Sequence, residues 1–148
     1  MSKPTAPARL LAVLTASLAL TATGFAVAPA QPAVAAACTG AGCNGKDPEA
    51  TGCARDGKLL ESRTWGQPGN VKVQLYSSAA CKAKWARSVD APSGGAVMVA
   101  NRDYTVKHVR KTDGAKKYVW TPMVNGNATA RACVGPQDSD ALTCTGLH

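Results

Sequence analysis

The chain is short of the residues that most often carry catalysis or fill a large core. Among its 148 residues there are two histidines, His108 and His148, and seven aromatic residues, one of which is phenylalanine. A serine or cysteine nucleophile needs a base within reach, usually histidine, so this scarcity argues against a hydrolase. With so few aromatic side chains, a small domain depends on cross-links for its stability.

Acidic residues are absent before Asp47, and the acid-free N-terminus has the features of a secretory signal peptide. Lys3 and Arg9 supply its positive charge, and a mostly apolar stretch follows over residues 10–27. A positive start followed by a short apolar run is the pattern that the export machinery reads. The sequence therefore predicts a protein that is secreted, either free outside the cell or associated with the cell wall.

Cleavage is expected after the small residues at 33–35, with residues 28–30 as the second choice. Residues 1–35 are then the signal peptide, and residues 36–148 form a single secreted, disulfide-rich domain. A retained membrane anchor is disfavoured, because it would need about 20 uniformly apolar residues. Lipidation at Cys38 is the other alternative, but it would leave an odd number of cysteines in a secreted domain.

The cysteines number six, and all of them follow the predicted leader. An even set in an oxidising compartment predicts three structural disulfides. Fifteen pairings are possible, and spacing alone favours Cys53 with Cys81, Cys133 with Cys144, and Cys38 with Cys43. A metal site is disfavoured because the chain has no C-x2-C pair and its histidines are distant from the cysteines in sequence. We therefore expect neither a metal nor another cofactor.

Period-two alternation and turn residues predict a mainly β fold. Residues 38–57 are rich in Gly, Asp, Asn and Pro, which indicates a looped N-terminal lobe. Alanines at 77–87, with Cys81 and Trp85 four apart, predict one short helical turn. Five strands are predicted, near residues 71–76, 96–100, 104–109, 117–121 and 129–134. Short strands joined by turns favour a small, disulfide-stapled antiparallel β-barrel or sandwich.

Positive charge concentrates in one part of the secreted domain. Without residues 1–35 the chain keeps 15 of its 17 basic residues against nine acidic ones, a net charge of +6. Residues 107–117, which we call the basic segment, are expected to form a hairpin around a turn at 112–114. Five cations lie within it: Lys107, Arg110, Lys111, Lys116 and Lys117. No other stretch of the chain has as much local positive charge.

The basic segment is the best candidate for a binding site. Outside the cell its partners would be anionic wall polymers or lipid headgroups. Nucleic acid is disfavoured because the protein is predicted to lie outside the cell and because the basic segment lacks interleaved aromatic residues. The alternative is a solvated strand edge whose lysines prevent aggregation.

Six aromatic residues of the secreted domain allow two interpretations: Trp65, Trp85, Trp120, Tyr76, Tyr104 and Tyr118. They could line a sugar-binding face, or they could fill a sparse core, which is the more usual role of large aromatics. Trp85, close to Cys81, is expected to pack on a disulfide. Trp65, next to Gly66 and Pro68, is expected in a loop and is the better candidate for exposure.

Three stretches taken together, at residues 38–53, 73–87 and 120–133, resemble the YjfA-like family of small secreted bacterial proteins. The resemblance extends over essentially the whole secreted part and implies its fold and localisation. Related domains are attached to helix-turn-helix regulators in actinobacteria, which implies a sensor or export-side module. The family has no established activity, so the resemblance implies no catalytic residues.

Three functions follow in order of preference. The first is a non-enzymatic module that associates with the anionic cell envelope through the basic segment. The second is an inhibitor or effector of an extracellular protein, presenting the disulfide-held loop 43–53 in a rigid form. The third is a small hydrolase with His108 as its base, although a histidine that alternates with core residues is usually structural.

Overall fold

The computed structural model describes residues 36–66 and 70–148, so the predicted signal peptide lies outside the described residues. Within these ranges the helical structure consists of two short 3-10 turns, Gly40–Cys43 and Cys53–Asp56. The strands are β1 (Lys58–Trp65), β2 (Val71–Ser78), β3 (Ala83–Val89), β4 (Gly95–Asn101), β5 (Lys107–Thr112), β6 (Tyr118–Trp120), β7 (Val124–Asn125), β8 (Ala130–Pro136) and β9 (Thr143–Cys144).

The strands form two antiparallel sheets. The first sheet has the order β1-β2-β3-β6, with β7 also pairing with β3, and the second has the order β5-β4-β8-β9. Neither sheet closes into a barrel. Their inner faces share one core, so the sandwich is the correct one of the two predicted architectures.

Alternation along the strands explains why the sheets pack together. Along β2, Val71, Val73 and Leu75 are buried while Lys72 is exposed. The same period places Val97 and Val99 of β4, and alternate residues of β8, on the opposing inner face. This aliphatic core contains Val71, Val73, Leu75, Ala86, Ala91, Val97, Val99, Val124, Ala130, Ala132 and Val134. Burial of one face of each sheet is the main stabilising contribution.

Four of the five predicted strands agree closely with the structure, and the fifth begins later than expected. β5 starts at Lys107 because Tyr104 has a φ of 56° and lies in the preceding turn. The pattern missed β1, β3, β7 and β9. It also placed Trp65 in an exposed loop, whereas Trp65 ends β1 and packs half-buried against the aliphatic core.

The helical turn predicted at 77–87 is wrong. β2 continues to Ser78, and β3 begins at Ala83 after a tight turn in which Lys82 has a φ of 47°. Alanine is a strong helix former, but intrinsic propensity amounts to less than about 1 kcal/mol per residue, and pairing with β2 along all seven residues of β3 overrides it. The turn is held by the lobe, since the Asp56 carboxylate accepts hydrogen bonds from the Ala80 amide and the Ser78 hydroxyl.

The looped N-terminal lobe covers one end of the outer face of the first sheet. Backbone hydrogen bonds fix it there, from Gly40 to the Cys81 carbonyl (2.8 Å) and between the lobe and Met123. A second buried cluster forms beneath it from Cys43, Cys53, Cys81, Ala83, Trp85 and Met123. Trp85 therefore packs among cystines, as expected from its closeness to Cys81 in the sequence.

The six cysteines form three disulfides, Cys38–Cys43, Cys53–Cys81 and Cys133–Cys144. The first two hold the lobe, and the second of these joins it to the turn between β2 and β3. The third links directly opposed residues of β8 and β9. These are the pairs that spacing favoured. In the described part of the chain, no helix has the length and apolar character needed to cross a membrane.

Candidate functional site

The basic segment connects the two sheets and does not form the expected hairpin. β5 lies at the edge of the second sheet, paired with β4, whereas β6 pairs with β3 in the first sheet. Gly114, with a φ of 74°, lies in a bend of the chain. A local turn signal reports only that the chain changes direction, and the strand that follows pairs wherever its apolar face is best buried.

A cleft of about 280 Å³ opens beside this connection. Its walls come from β5, from the connection itself, from β6 and from the N-terminal lobe. The lining residues are Asp47, Arg110, Lys111, Asp113, Lys116, Tyr118, Val119 and Trp120. The structure thus brings together three of the five predicted cations, and we call this cavity the basic cleft.

The other two cations, Lys107 and Lys117, do not line the basic cleft. Lys107 lines a separate cavity of about 310 Å³ on the outer face of the second sheet, beside Met98 and Val109. Lys111 borders both cavities. Lys117 places its ammonium nitrogen 5.7 Å from the centre of the Tyr118 ring, close to the cleft. Alternation along β5 places Lys107 and Lys111 on the face opposite that of Arg110, and Lys111, near the end of the strand, still borders the basic cleft.

All five cations are exposed, and none has a carboxylate partner within the described ranges, where the ion pairs involve Glu61 with Arg63 and His148. The carboxylates of the cleft make other hydrogen bonds. Asp47 accepts from the Glu49 and Ala50 amides through Oδ1, at 2.9 and 3.1 Å, and from Trp120 Nε1 through Oδ2, at 3.3 Å. The basic cleft therefore presents unpaired cations beside fixed acceptors.

A second surface adjoins the cleft on the outer face of the first sheet, and sequence reasoning named its aromatic residues but not Arg87. The Arg87 guanidinium carbon lies 4.7 Å from the Tyr76 ring centre and 4.9 Å from that of Tyr118. Arg87 also donates to Gln74 Oε1 (3.0 Å) and to the Tyr76 hydroxyl (2.6 Å). A smaller cavity of about 90 Å³ lies here, and Trp120 lines both cavities.

The signal for this surface was present in β3. Trp85, Arg87 and Val89 alternate with the buried Ala86 and Ser88, which is the period of a strand. Because this stretch was interpreted as helical, Arg87 was not placed opposite Gln74, or Trp85 opposite Tyr76. The Tyr76 and Trp85 rings are in fact stacked, with centres 5.8 Å apart.

His108 sits half-buried on β5, facing the lobe. A methyl group added to Gly45 would lie 3.6 Å from its Cε1 atom, and its buried Nε2 atom has no hydrogen-bond partner among the described residues. Burial lowers the pKa of this imidazole below its ordinary value. Nothing in this arrangement couples His108 to a hydroxyl or thiol nucleophile within the described chain.

The sulfur atoms of the lobe converge in a way that the spacing did not predict. Sγ atoms of Cys38, Cys43, Cys53 and Cys81 all lie within 4.8 Å of one another, and those of Cys38 and Cys53 are 3.9 Å apart. Metal binding by cysteine requires the thiolate. These four sulfurs are bonded in two disulfides, so in this state they stabilise the lobe.

Comparison with known proteins identifies the family of this protein but no activity. The family described as "Protein of unknown function (DUF2690)" matches residues 41–133. The match covers more than half of the chain, and the protein belongs to this family. It includes the loop with Asp47, the strand with Arg87 and the whole basic segment. No curated protein and no solved structure gives a significant match.

Proposed function

We propose that the protein is a secreted, non-enzymatic module that binds anionic polymers of the cell envelope through the basic segment. The observation that carries this proposal is the group of five exposed cations, none paired with a carboxylate in the described structure, three of which line one cleft. A cation already held by an acid must break that pair before it binds a ligand. These five cations can bind an anionic ligand without first breaking an ion pair.

Electrostatics favours a polymer over a small anion. Exposed charges interact over roughly 10 Å at moderate ionic strength, so cations spread over one connection attract a chain of phosphates or carboxylates together. Each lysine or arginine near an anionic surface contributes about 1 kcal/mol, and salt weakens that contribution. Binding should therefore be strong at low salt and weak at high salt.

The proposed location outside the cell has separate support. Three disulfides are compatible with an oxidising compartment, and the predicted leader at residues 1–35 directs export. The resemblance to YjfA-like secreted bacterial proteins adds a bacterial envelope, whose anionic polymers are abundant ligands.

Co-sedimentation with purified cell walls tests the proposal, using oxidised protein of residues 36–148 and walls with or without their anionic polymers. Charge reversal of Lys111, Lys116 and Lys117 to Glu is expected to weaken binding at least about tenfold. Reversal of Arg55, Lys58 and Lys72, exposed residues outside the cleft, is the control with the same net charge. Equal loss in both variants, or no loss in either, would contradict a specific role for the basic segment.

The second candidate is an inhibitor or effector of an extracellular protein. It is favoured by the loop 43–53, whose ends are held by the Cys38–Cys43 and Cys53–Cys81 disulfides and whose interior is capped by the Asp47 carboxylate. A rigid exposed loop loses little entropy on binding. A panel of secreted proteases assayed with and without the protein tests this candidate, and unchanged activity throughout would exclude the inhibitor form.

A further inference from the structure

We propose that the anionic polymer carries sugars, and that Tyr76, Arg87, Tyr118 and Trp120 form a subsite for a sugar unit beside the basic cleft. We call these four residues the arginine–tyrosine face. This inference rests on the proposed function and makes it more specific. It distinguishes a sugar polymer from the two other sources of negative charge, lipid headgroups and sugar-free phosphate chains.

The first step is the fixed position of Arg87. Its guanidinium contacts the rings of Tyr76 and Tyr118 and donates hydrogen bonds to Gln74 and Tyr76. A guanidinium has five N–H donors, and two of them are used in these bonds. The remaining donors belong to a side chain whose rotamers are already restricted, so little further entropy is lost when it binds a carboxylate, a phosphate or a pair of hydroxyls.

The second step is the continuity of the face with the basic cleft. Tyr118 and Trp120 line the cleft, while Trp120 and Arg87 line the adjoining small cavity. Register explains this placement, because Arg87 pairs with Trp120 across β3 and β6. A polymer whose charged groups contact Lys111 would therefore bring its next units onto aromatic rings.

The third step is the combination of cations, carboxylates and aromatic rings that the ligand would contact. Asp47 and Asp113 lie in the cleft with the cations, and Glu49 lines the small cavity. A chain of phosphates offers acceptors alone, so these carboxylates repel it. Sugar units instead offer hydroxyl donors to carboxylates and an apolar C–H face to aromatic rings. The combination of cations, carboxylates and rings favours an acidic polysaccharide.

The chain contains a matched control for the aromatic contact. Tyr118 is 42% exposed and Tyr104 is 44% exposed, and each lies beneath an arginine, Arg87 in the first case and Arg131 in the second. Tyr104 lies in the turn before β5 and does not line the basic cleft. Alanine at either position therefore removes a similar exposed ring and a similar cation–π contact.

The experiment measures dissociation constants of oxidised residues 36–148 for three probes at one salt concentration. The probes are polygalacturonate, inorganic polyphosphate of similar charge, and vesicles of phosphatidylglycerol in phosphatidylcholine. Tyr118→Ala and Arg87→Lys are expected to weaken polygalacturonate binding about fivefold and polyphosphate binding less than about twofold. Tyr104→Ala is expected to change neither. Circular dichroism and thermal midpoints verify that each variant is folded.

The outcomes separate the two proposals. If reversal of Lys111, Lys116 and Lys117 leaves all three affinities unchanged, or if wild-type protein binds none of the probes, the proposed function fails and the sugar subsite with it. If the reversal weakens binding but Tyr118→Ala and Arg87→Lys act equally on polygalacturonate and polyphosphate, or on neither, the sugar subsite alone is overturned. Preferred binding to vesicles would identify a lipid headgroup as the ligand and would also overturn it.

Discussion

The two buried clusters of this molecule are built from different side chains. Between the sheets, the core is aliphatic and comes from alternate residues of paired strands, such as Val73 and Leu75. Beneath the lobe, the core is sulfur and aromatic, with Trp85 and Met123 among the cystines. Paired strands satisfy their own backbone groups and bury side chains by register, whereas a lobe of loops has no such ladder. Cross-links replace the ladder there.

The candidate site lies where these two regions meet. Asp47 comes from the lobe and accepts a hydrogen bond from Trp120 of β6, while Arg110 and Lys111 come from the second sheet. The cleft therefore needs both regions intact. Perturbing each region separately should distinguish global stability from the shape of the site.

The largest expected effect comes from the aliphatic core. Leu75 is fully buried between the sheets, so Leu75→Ala removes buried surface and leaves a cavity. The expected loss in the free energy of unfolding is about 2–5 kcal/mol, measured by urea denaturation of the oxidised protein. Leu59→Ala, at a position 42% exposed, should cost less than about 1 kcal/mol. Equal losses would contradict the packing described for β2.

The next effect comes from the cross-links. Replacing Cys53 and Cys81 together with alanine removes a link across 28 residues and should cost about 3–4 kcal/mol in the chain-entropy model. Because this link holds the lobe that supplies Asp47, affinity for the proposed anionic polymer should also fall.

Removal of the Cys133–Cys144 bridge sharpens the comparison. Its separation is 11 residues, so the double alanine variant should lose a similar free energy, about 3 kcal/mol. It lies away from the lobe, and binding at temperatures where the variant is folded should be unchanged. A loss of binding here, without one in the Cys53/Cys81 variant, would contradict the role given to the lobe.

The smallest expected effect is a pH dependence at the junction between lobe and sandwich. Burial lowers the pKa of His108 below 6.5, so the unfolded chain binds this proton more readily than the folded one. Stability should fall as pH drops through about 6.5 towards the folded-state pKa. His108→Gln should remove this component from the free energy of unfolding, measured by urea denaturation at pH 8 and pH 5.

Glu61 provides a second pH window for comparison. Its hydrogen bond with His148, and then Arg63 and the Gly146 amide, hold the pKa of Glu61 below 4.5 against the opposing effect of burial. A lowered carboxyl pKa stabilises the fold above about pH 4.5 and loses this effect on further acidification. Glu61→Gln should flatten the dependence below pH 4.5 and leave the His108 window unchanged.

Sequence reasoning succeeded where the pattern of a segment indicates which of that segment's own residues are buried. Val71, Val73 and Leu75 identified β2 because the side chains of a half-buried strand alternate between the core and solvent, and apolar and polar residues alternate with them in the sequence. It failed at β3, where alanines suggested a helix, and at β5 and β6, where a turn suggested a hairpin. The first error concerns a hairpin partner that is close in the chain, β2, whereas the second concerns partners that are distant in the chain. Helix propensity and turn chemistry are local preferences of a few tenths to about 1 kcal/mol, and tertiary packing overrides them.

By itself, the sequence determined which residues alternate into a core, where the looped lobe lies and which five cations are close together. Only the tertiary structure decided that the basic segment crosses between the sheets, that four sulfurs converge beneath the lobe, and that Arg87 is held between Tyr76 and Tyr118. The reason is physical. Side-chain patterning records which face of a strand is buried, whereas the neighbours on the exposed face depend on which distant strands pair.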